Sequence, residues 1–180
     1  MTKIVLTFGL IAGGIMSVVL AIHLAFHDAI GFDAGMVVGY ASMVAAFLLI
    51  FFGVRSYRDN VLGGRVSFWH AFGVGMLITL VASVIYVGTW EVIYFNFSRD
   101  YLDKYQAHVI AKERARGATD AELAENVAEM ESFAKKYENP AFNVAVSFLE
   151  PLPVGLVMAL VTAGVLSRRR RVDVTGHALA

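Results

Sequence analysis

The amino-acid sequence predicts an all-α fold: a four-helix transmembrane bundle with an extramembrane helical hairpin between spans three and four. Three observations carry this. Four long apolar runs, Ile4–Phe26, Ala34–Val54, Trp69–Phe97 and Ala141–Leu166, each match the ~20 residues of helix that cross a ~30 Å hydrocarbon core. The breaks between them carry charges and turn residues. Of the 180 residues 58% are hydrophobic and the mean hydropathy is positive, more apolar surface than a soluble domain of this length can hide. Unpaired backbone amides are so costly in lipid that runs of this length are read as helices.

The elements follow in order. Span one, 4–26, has Lys3 ahead of it like a secretory signal, but its apolar stretch exceeds an h-region of about 7–15 residues and three spans follow, so it reads as a retained helix. A short His27–Asp33 loop leads to span two, 34–54, and the Arg55–Phe68 loop, with its Gly63-Gly64 turn, leads to span three, 69–97. The segment 98–140 has neither proline nor glycine from Ser98 to Arg116, with Leu102, Tyr105, Val109 and Ile110 near helical spacing. Span three is therefore expected to continue into the aqueous phase as one long helix, ended by Gly117. Thr119 and Glu122 have capping-box spacing, and Leu123, Val127, Met130, Phe133 and Tyr137 then give a second helix one apolar stripe. The two stripes suit an intramolecular hairpin, and equally a contact with another subunit or an external ligand. Span four, 141–166, ends at Arg168–Arg171, giving a single membrane domain over 1–171 and a polar, disordered cytoplasmic tail over 172–180.

Basic residues set the orientation. Lys3, Arg55, Arg58, Arg65 and Arg168–Arg171 alternate with a His27–Asp33 loop that lacks lysine and arginine. Both termini and the Arg55–Phe68 loop are thus expected on the cytoplasmic side, and the 98–140 hairpin outside. Each span also carries small residues four apart: Gly9, Gly13, Ser17 and Ala21; Gly31, Gly35 and Gly39; Ala71, Gly75, Thr79 and Ser83; Gly155, Ala159 and Ala163. Such ridges let helices approach closely in lipid, within one bundle or between two copies.

The candidate chemistry lies in ionisable residues within the spans. Counted inward from the outer ends, Glu91 lies roughly 9 Å deep and Glu150 roughly 13 Å, so both are buried by position and could share a layer. Pro151 and Pro153 remove backbone donors beside Glu150, so span four should kink or unwind there, as helices do at many transporter ion sites. Hydrogen bonds from Tyr86 or Thr89, or to a freed carbonyl, would instead make these acids packing elements. His23 and His27, four apart and followed by Asp28, have the spacing of metal ligands, although ordinary interfacial contacts suit them better. Arg55, Tyr57, Arg58 and Asp59 form the most distinctive cytoplasmic stretch, suited to an Arg58–Asp59 pair, to lipid phosphates or to a partner. His70, beside Trp69, reads as an interfacial residue.

Other classes are excluded or unsupported. Without cysteine there is no disulfide, thiolate metal site or cysteine nucleophile. Fifteen Lys and Arg balance fifteen Asp and Glu, which gives no reason to expect nucleic acid. There is no phosphate loop, nucleophile elbow or dinucleotide fingerprint, and the pattern calls for no cofactor.

Several stretches together resemble the DUF4199 family of bacterial membrane proteins: Phe51-Phe-Gly-Val-Arg-Ser-Tyr-Arg-Asp59, Gly63-Gly64, Ser67-Phe-Trp-His-Ala-Phe72, Gly75-Met-Leu-Ile-Thr79 with Tyr86, Tyr94-Phe-Asn-Phe97, and Glu150-Pro-Leu-Pro-Val-Gly-Leu156. The resemblance covers nearly the whole chain and is most specific at Arg55, Tyr57, Arg58, Asp59, Glu150, Pro153 and Gly155. It implies a bacterial four-helix inner-membrane protein and supplies no activity, the family being named for an unknown function. Two functional classes stay open. One is a non-enzymatic structural or accessory membrane protein contacting anionic lipids and a second copy or another membrane protein. The other is a small proton- or cation-coupled carrier using Glu150 and Glu91.

Overall fold

A computed structural model describes residues 1–168, apart from the side chain of Asp28. The arginine run beyond Arg168, the 172–180 tail and the Asp28 carboxylate lie outside the described residues. The described residues form eight helices: α1 (Thr2–Ala25), α2 (His27–Ile30), α3 (Phe32–Asn60), α4 (Phe68–Phe97), α5 (Tyr101–Ala115), α6 (Asp120–Tyr137), α7 (Pro140–Phe148) and α8 (Pro151–Leu166). Four stretches, α1, α3, α4 and α7 with α8, are long and apolar enough to cross a membrane. Their outward faces agree: Leu10, Val18, Val37, Phe52, Val84, Val157 and Val161 are exposed, a surface suited to lipid rather than water. The chain is a membrane protein with an all-α bundle.

Helix α4 is the central post, packed by α1 on one face, α8 on another and α3 between them. Small residues make this possible. Gly9 of α1 lies against Val81 and the Ile78 carbonyl, and Gly13 against Ala82 and Ile85. On the other face Gly75 meets Ala159 and Gly155 meets Thr79, so the ridges of spans three and four interlock. Ser17 accepts a 2.9 Å hydrogen bond from Thr89, tying α1 to α4. The ridge of span two is less complete: Gly31 has φ +74° and belongs to the turn before α3, while nothing approaches Gly39.

Three expectations need correction. The His27–Asp33 loop contains the single turn α2, and α3 begins at Phe32. The stretch Arg55–Asp59 forms the last turns of α3, since neither proline nor glycine interrupts Val54–Asn60. Arg58 there pairs with Asp59 at 2.7 Å, whereas Tyr57 is buried in the core rather than turned to head groups. The chain leaves helix at Val61, turns through Gly63 and Gly64, both at positive φ, and re-enters helix at Phe68 after Ser67, whose hydroxyl caps His70 and lies 2.8 Å from its Nδ1.

Third, span three does not run on as one helix. The Ser98 amide reaches back to the Ile93 and Tyr94 carbonyls, and Arg99 Nε donates to the Phe95 carbonyl at 3.0 Å, which satisfies the open carbonyl end. After this stop α5 folds across the end of α3. Phe32 meets Tyr101, Tyr105 and His108 at ring distances of 5.6, 5.4 and 5.1 Å, and Lys112 pairs with Asp33 at 2.6 Å. A straight continuation would carry all four residues away from α3.

The hairpin turns at Gly117, φ +90°, and α6 opens with a complete capping box in which Thr119 and Glu122 satisfy each other's backbone amides. Those hydrogen bonds hold the Glu122 carboxyl below its ordinary value of 4.5. The box is therefore at full strength above that value and fades as pH falls through the lower folded one. Replacing Thr119 with alanine is expected to cost about 1 kcal/mol. Hydrogen exchange should show faster amides in the first turn of α6 and unchanged ones in α8.

Candidate functional site

Pro151 and Pro153 break span four as the sequence predicts. Leu149 and Glu150 separate α7 from α8, because Pro151 has no amide to continue the ladder. Below the break α8 packs along α3. Above it α7 packs on α4 and α6 and makes no extended contact with α3. The bundle therefore splits in its hairpin-side half and encloses a cavity of about 350 Å³. The wall comes from α1 (Met16, Leu20, His23), α3 (Phe32, Gly35, Met36, Gly39, Tyr40), α4 (Tyr86, Trp90), the hairpin (Tyr101, Tyr105, Phe133, Tyr137) and α7 with the break (Val146, Ser147, Glu150). Met36, Tyr40 and Phe133 are exposed, which marks the open side between α3 and the α6–α7 corner.

Among the described residues Glu150 presents the only carboxylate on this wall. The residue is exposed while its carboxylate contact is part-buried, so the burial inferred from its depth in the span holds only in part: the splayed α7 leaves room above it. Tyr86, directly opposite on α4, donates a 2.8 Å hydrogen bond to Oε2, one of the partners the sequence offered. Thr89 is taken instead by Ser17 and the Ile85 carbonyl.

Glu91 does not join it. Residues 86 and 91 are five apart, which turns their side chains about 140° from one another around α4. With Tyr86 on the chamber, Glu91 falls outside the lining, and its Oε1 is buried without a hydrogen-bond partner. Of the two acids that the depth count allowed to share a layer, only Glu150 lines the chamber.

Above Glu150 a polar knot ties the chamber roof together. Trp90 Nε1 donates to the Tyr137 hydroxyl at 2.9 Å and to Asn143 Oδ1 at 3.1 Å; Asn143 Nδ2 donates to the Tyr137 carbonyl at 3.3 Å, and Ser147 donates to Asn143 Oδ1 at 3.1 Å. Asn143 is fully buried. Nothing in the local pattern signals this knot, since its members lie on three helices. Aromatic rings pack around it, with Trp90 5.3 Å from Tyr101 and Tyr94 5.3 Å from Tyr137. Burial, with a smaller contribution from the Glu150 charge, pushes the Tyr101 phenol up to about 12, so it remains a hydrogen-bond donor at neutral pH.

The histidines serve packing. The His23 ring sits directly on Gly35, which has no side chain to displace it, and lies 6.2 Å from the His27 ring, which in turn meets Phe32 at 4.4 Å. Among the described residues no group of three His, Cys, Asp or Glu is placed to hold a metal. Arg55 and Asp59, at the opposite end of α3, are 3.6 Å apart and distant from the chamber along that helix.

Comparison with known proteins gives one family. A family model described as a protein of unknown function (DUF4199) matches residues 7–168. No curated protein and no solved structure matches the chain.

Proposed function

The chain belongs to the DUF4199 family, described only by its unknown function, and from the geometry we propose that it is a non-enzymatic accessory membrane protein whose chamber binds a small ligand. The carrying observation is Glu150: a carboxylate opened into an aromatic cavity at a proline-made helix break and held there by Tyr86. Concave, mostly apolar sites with a few convergent polar groups are the usual form of small-molecule sites.

Binding suits the wall better than catalysis. Its two serines are engaged elsewhere, Ser42 with the Gly39 carbonyl at 2.7 Å and Ser147 with Asn143, and neither is paired with His23. Among the described residues neither serine therefore forms a unit with a base, and the one hydroxyl held by an acid on the wall, Tyr86, serves here to hold Glu150 in place. The positive-inside bias of Lys3, Arg55, Arg58 and Arg65 supports a bacterial inner-membrane protein with both termini cytoplasmic and the hairpin outside. In that orientation the chamber opens in the outer half of the bilayer and Arg55 and Arg65 meet anionic head groups. A second copy or another membrane protein is the partner that an accessory role implies.

A hydrophobic carbodiimide tests the chamber. Mass spectrometry after treatment in nanodiscs should find the adduct on Glu150, and an unmodified Glu150 under conditions that label other membrane carboxylates would contradict the reading. The break beside Glu150 favours one second reading, a proton-coupled carrier. Proteoliposomes should hold an imposed pH gradient as long as protein-free vesicles do. Dissipation by the wild type that is lost in Glu150→Gln would replace the accessory role with a carrier.

A further inference from the structure

We infer that the chamber takes a lipophilic organic cation, which enters sideways from the lipid between α3 and the α6–α7 corner; this rests on the chamber being a ligand site. Charge is the first support. Among the described residues Glu150 stands on a wall without lysine or arginine, and Tyr86 makes the one hydrogen bond to its carboxylate. The second oxygen is thus free to accept from, or lie against, a cation. An anionic guest would face this charge without a counter-ion, whereas a cation pairs with it. His23, the one basic side chain that the described residues bring to the wall, is seated on Gly35.

The rings are the second support. Phe32, Trp90, Tyr101, Tyr105 and Tyr137 bring aromatic surface to the cavity that also holds Glu150. Ring faces attract cations, and aromatic cages are the recurrent site for quaternary ammonium groups. Among the described residues no lysine or arginine lies over these rings: Arg99 lies over Phe95, and neither residue lines the chamber, while the side chains packed on Phe32 include the His27 and His108 rings. The route is the third support. The open side is bordered by exposed Met36 and Tyr40 on span α3, apolar or amphipathic side chains on a flank suited to lipid, with Phe133 of the hairpin at its upper edge, so a guest that partitions into a membrane reaches Glu150 from that side. A volume of about 350 Å³ suits a compact guest rather than a long-chain lipid.

Tetraphenylphosphonium and tetraphenylborate, alike in shape and opposite in charge, test this directly. The chain has two tryptophans, and Trp69, exposed at the opposite end of α4, can be replaced by phenylalanine so that fluorescence reports Trp90 alone. In nanodiscs carrying Trp69→Phe protein, tetraphenylphosphonium should change Trp90 emission saturably, while tetraphenylborate should give only the non-saturating response of free partitioning. Adding Glu150→Gln should weaken the cation about tenfold or more, as expected for loss of an ion pair shielded from water. Saturable binding of the anion to the Glu150 protein, or equal cation affinity with and without Glu150, overturns the inference. The wild-type comparison of the two probes holds even if Glu150→Gln fails to fold. If neither probe binds while carbodiimide still labels Glu150, the cation assignment falls and the chamber reading stands. If labelling also fails, both fall.

Discussion

Replacing Gly155 with valine should lower stability by about 2–3 kcal/mol, the range for forcing extra carbons into a well-packed contact. Even a single added Cβ would stand 3.0 Å from Thr79 Cβ and closer still to its γ atoms. Thr79 has no room to yield: it is fully buried, and its hydroxyl donates to the Gly75 carbonyl at 3.0 Å. The strain must then move α8 away from α4 and loosen the adjoining Gly75–Ala159 contact. Gly164→Val is the matched control, since nothing lies within 4 Å of the carbon it adds. Thermal unfolding in one detergent should show a clear fall in Tm for the first variant and little change for the second. Equal effects would mean that α4 and α8 are not packed along these ridges.

Asn143→Leu should be the other severe substitution. The side chain of Asn143 accepts from Trp90 and Ser147 and donates to the Tyr137 carbonyl, all in a fully buried position. Leucine matches its bulk and satisfies none of them. Trp90 keeps Tyr137 and Ser147 keeps Tyr137, but the Tyr137 carbonyl and part of the donor capacity are stranded. An unsatisfied buried group costs about 1–3 kcal/mol, so a loss of about 2–3 kcal/mol is expected. Because the knot ties α6 and α7 to α4, hydrogen exchange should rise in the hairpin before it rises in α1 or α8. Uniform loosening of every helix would place the knot in the wrong role.

The parts legible in the sequence are those written in local or periodic terms. Apolar length predicts the spans, Gly117 and the Thr119–Glu122 spacing predict the hairpin turn, and Pro151 predicts the break in span four. The four-residue ridges predict close approach, although not which helices meet, and the structure joins them through α4. The unread parts depend on contacts between distant residues. Asp33 and Lys112 are 79 positions apart, and Trp90 and Asn143 are 53 apart. Tryptophans and tyrosines near span ends ordinarily mark a membrane interface, which conceals a ring of them built around a cavity. Glu91 shows the opposite failure: depth along a helix says nothing about which way round the helix a side chain points.

The proposed orientation puts the hairpin that roofs the chamber outside the cell, and the absence of cysteine makes this directly measurable without background. Two variants suffice: Ala124→Cys on the exposed side of α6 and Leu62→Cys in the turn between α3 and α4, both exposed positions. A membrane-impermeant maleimide should label the first in intact cells and the second only after the membrane is opened. Labelling of Leu62→Cys in intact cells with Ala124→Cys protected would place the chamber on the cytoplasmic side and contradict the account.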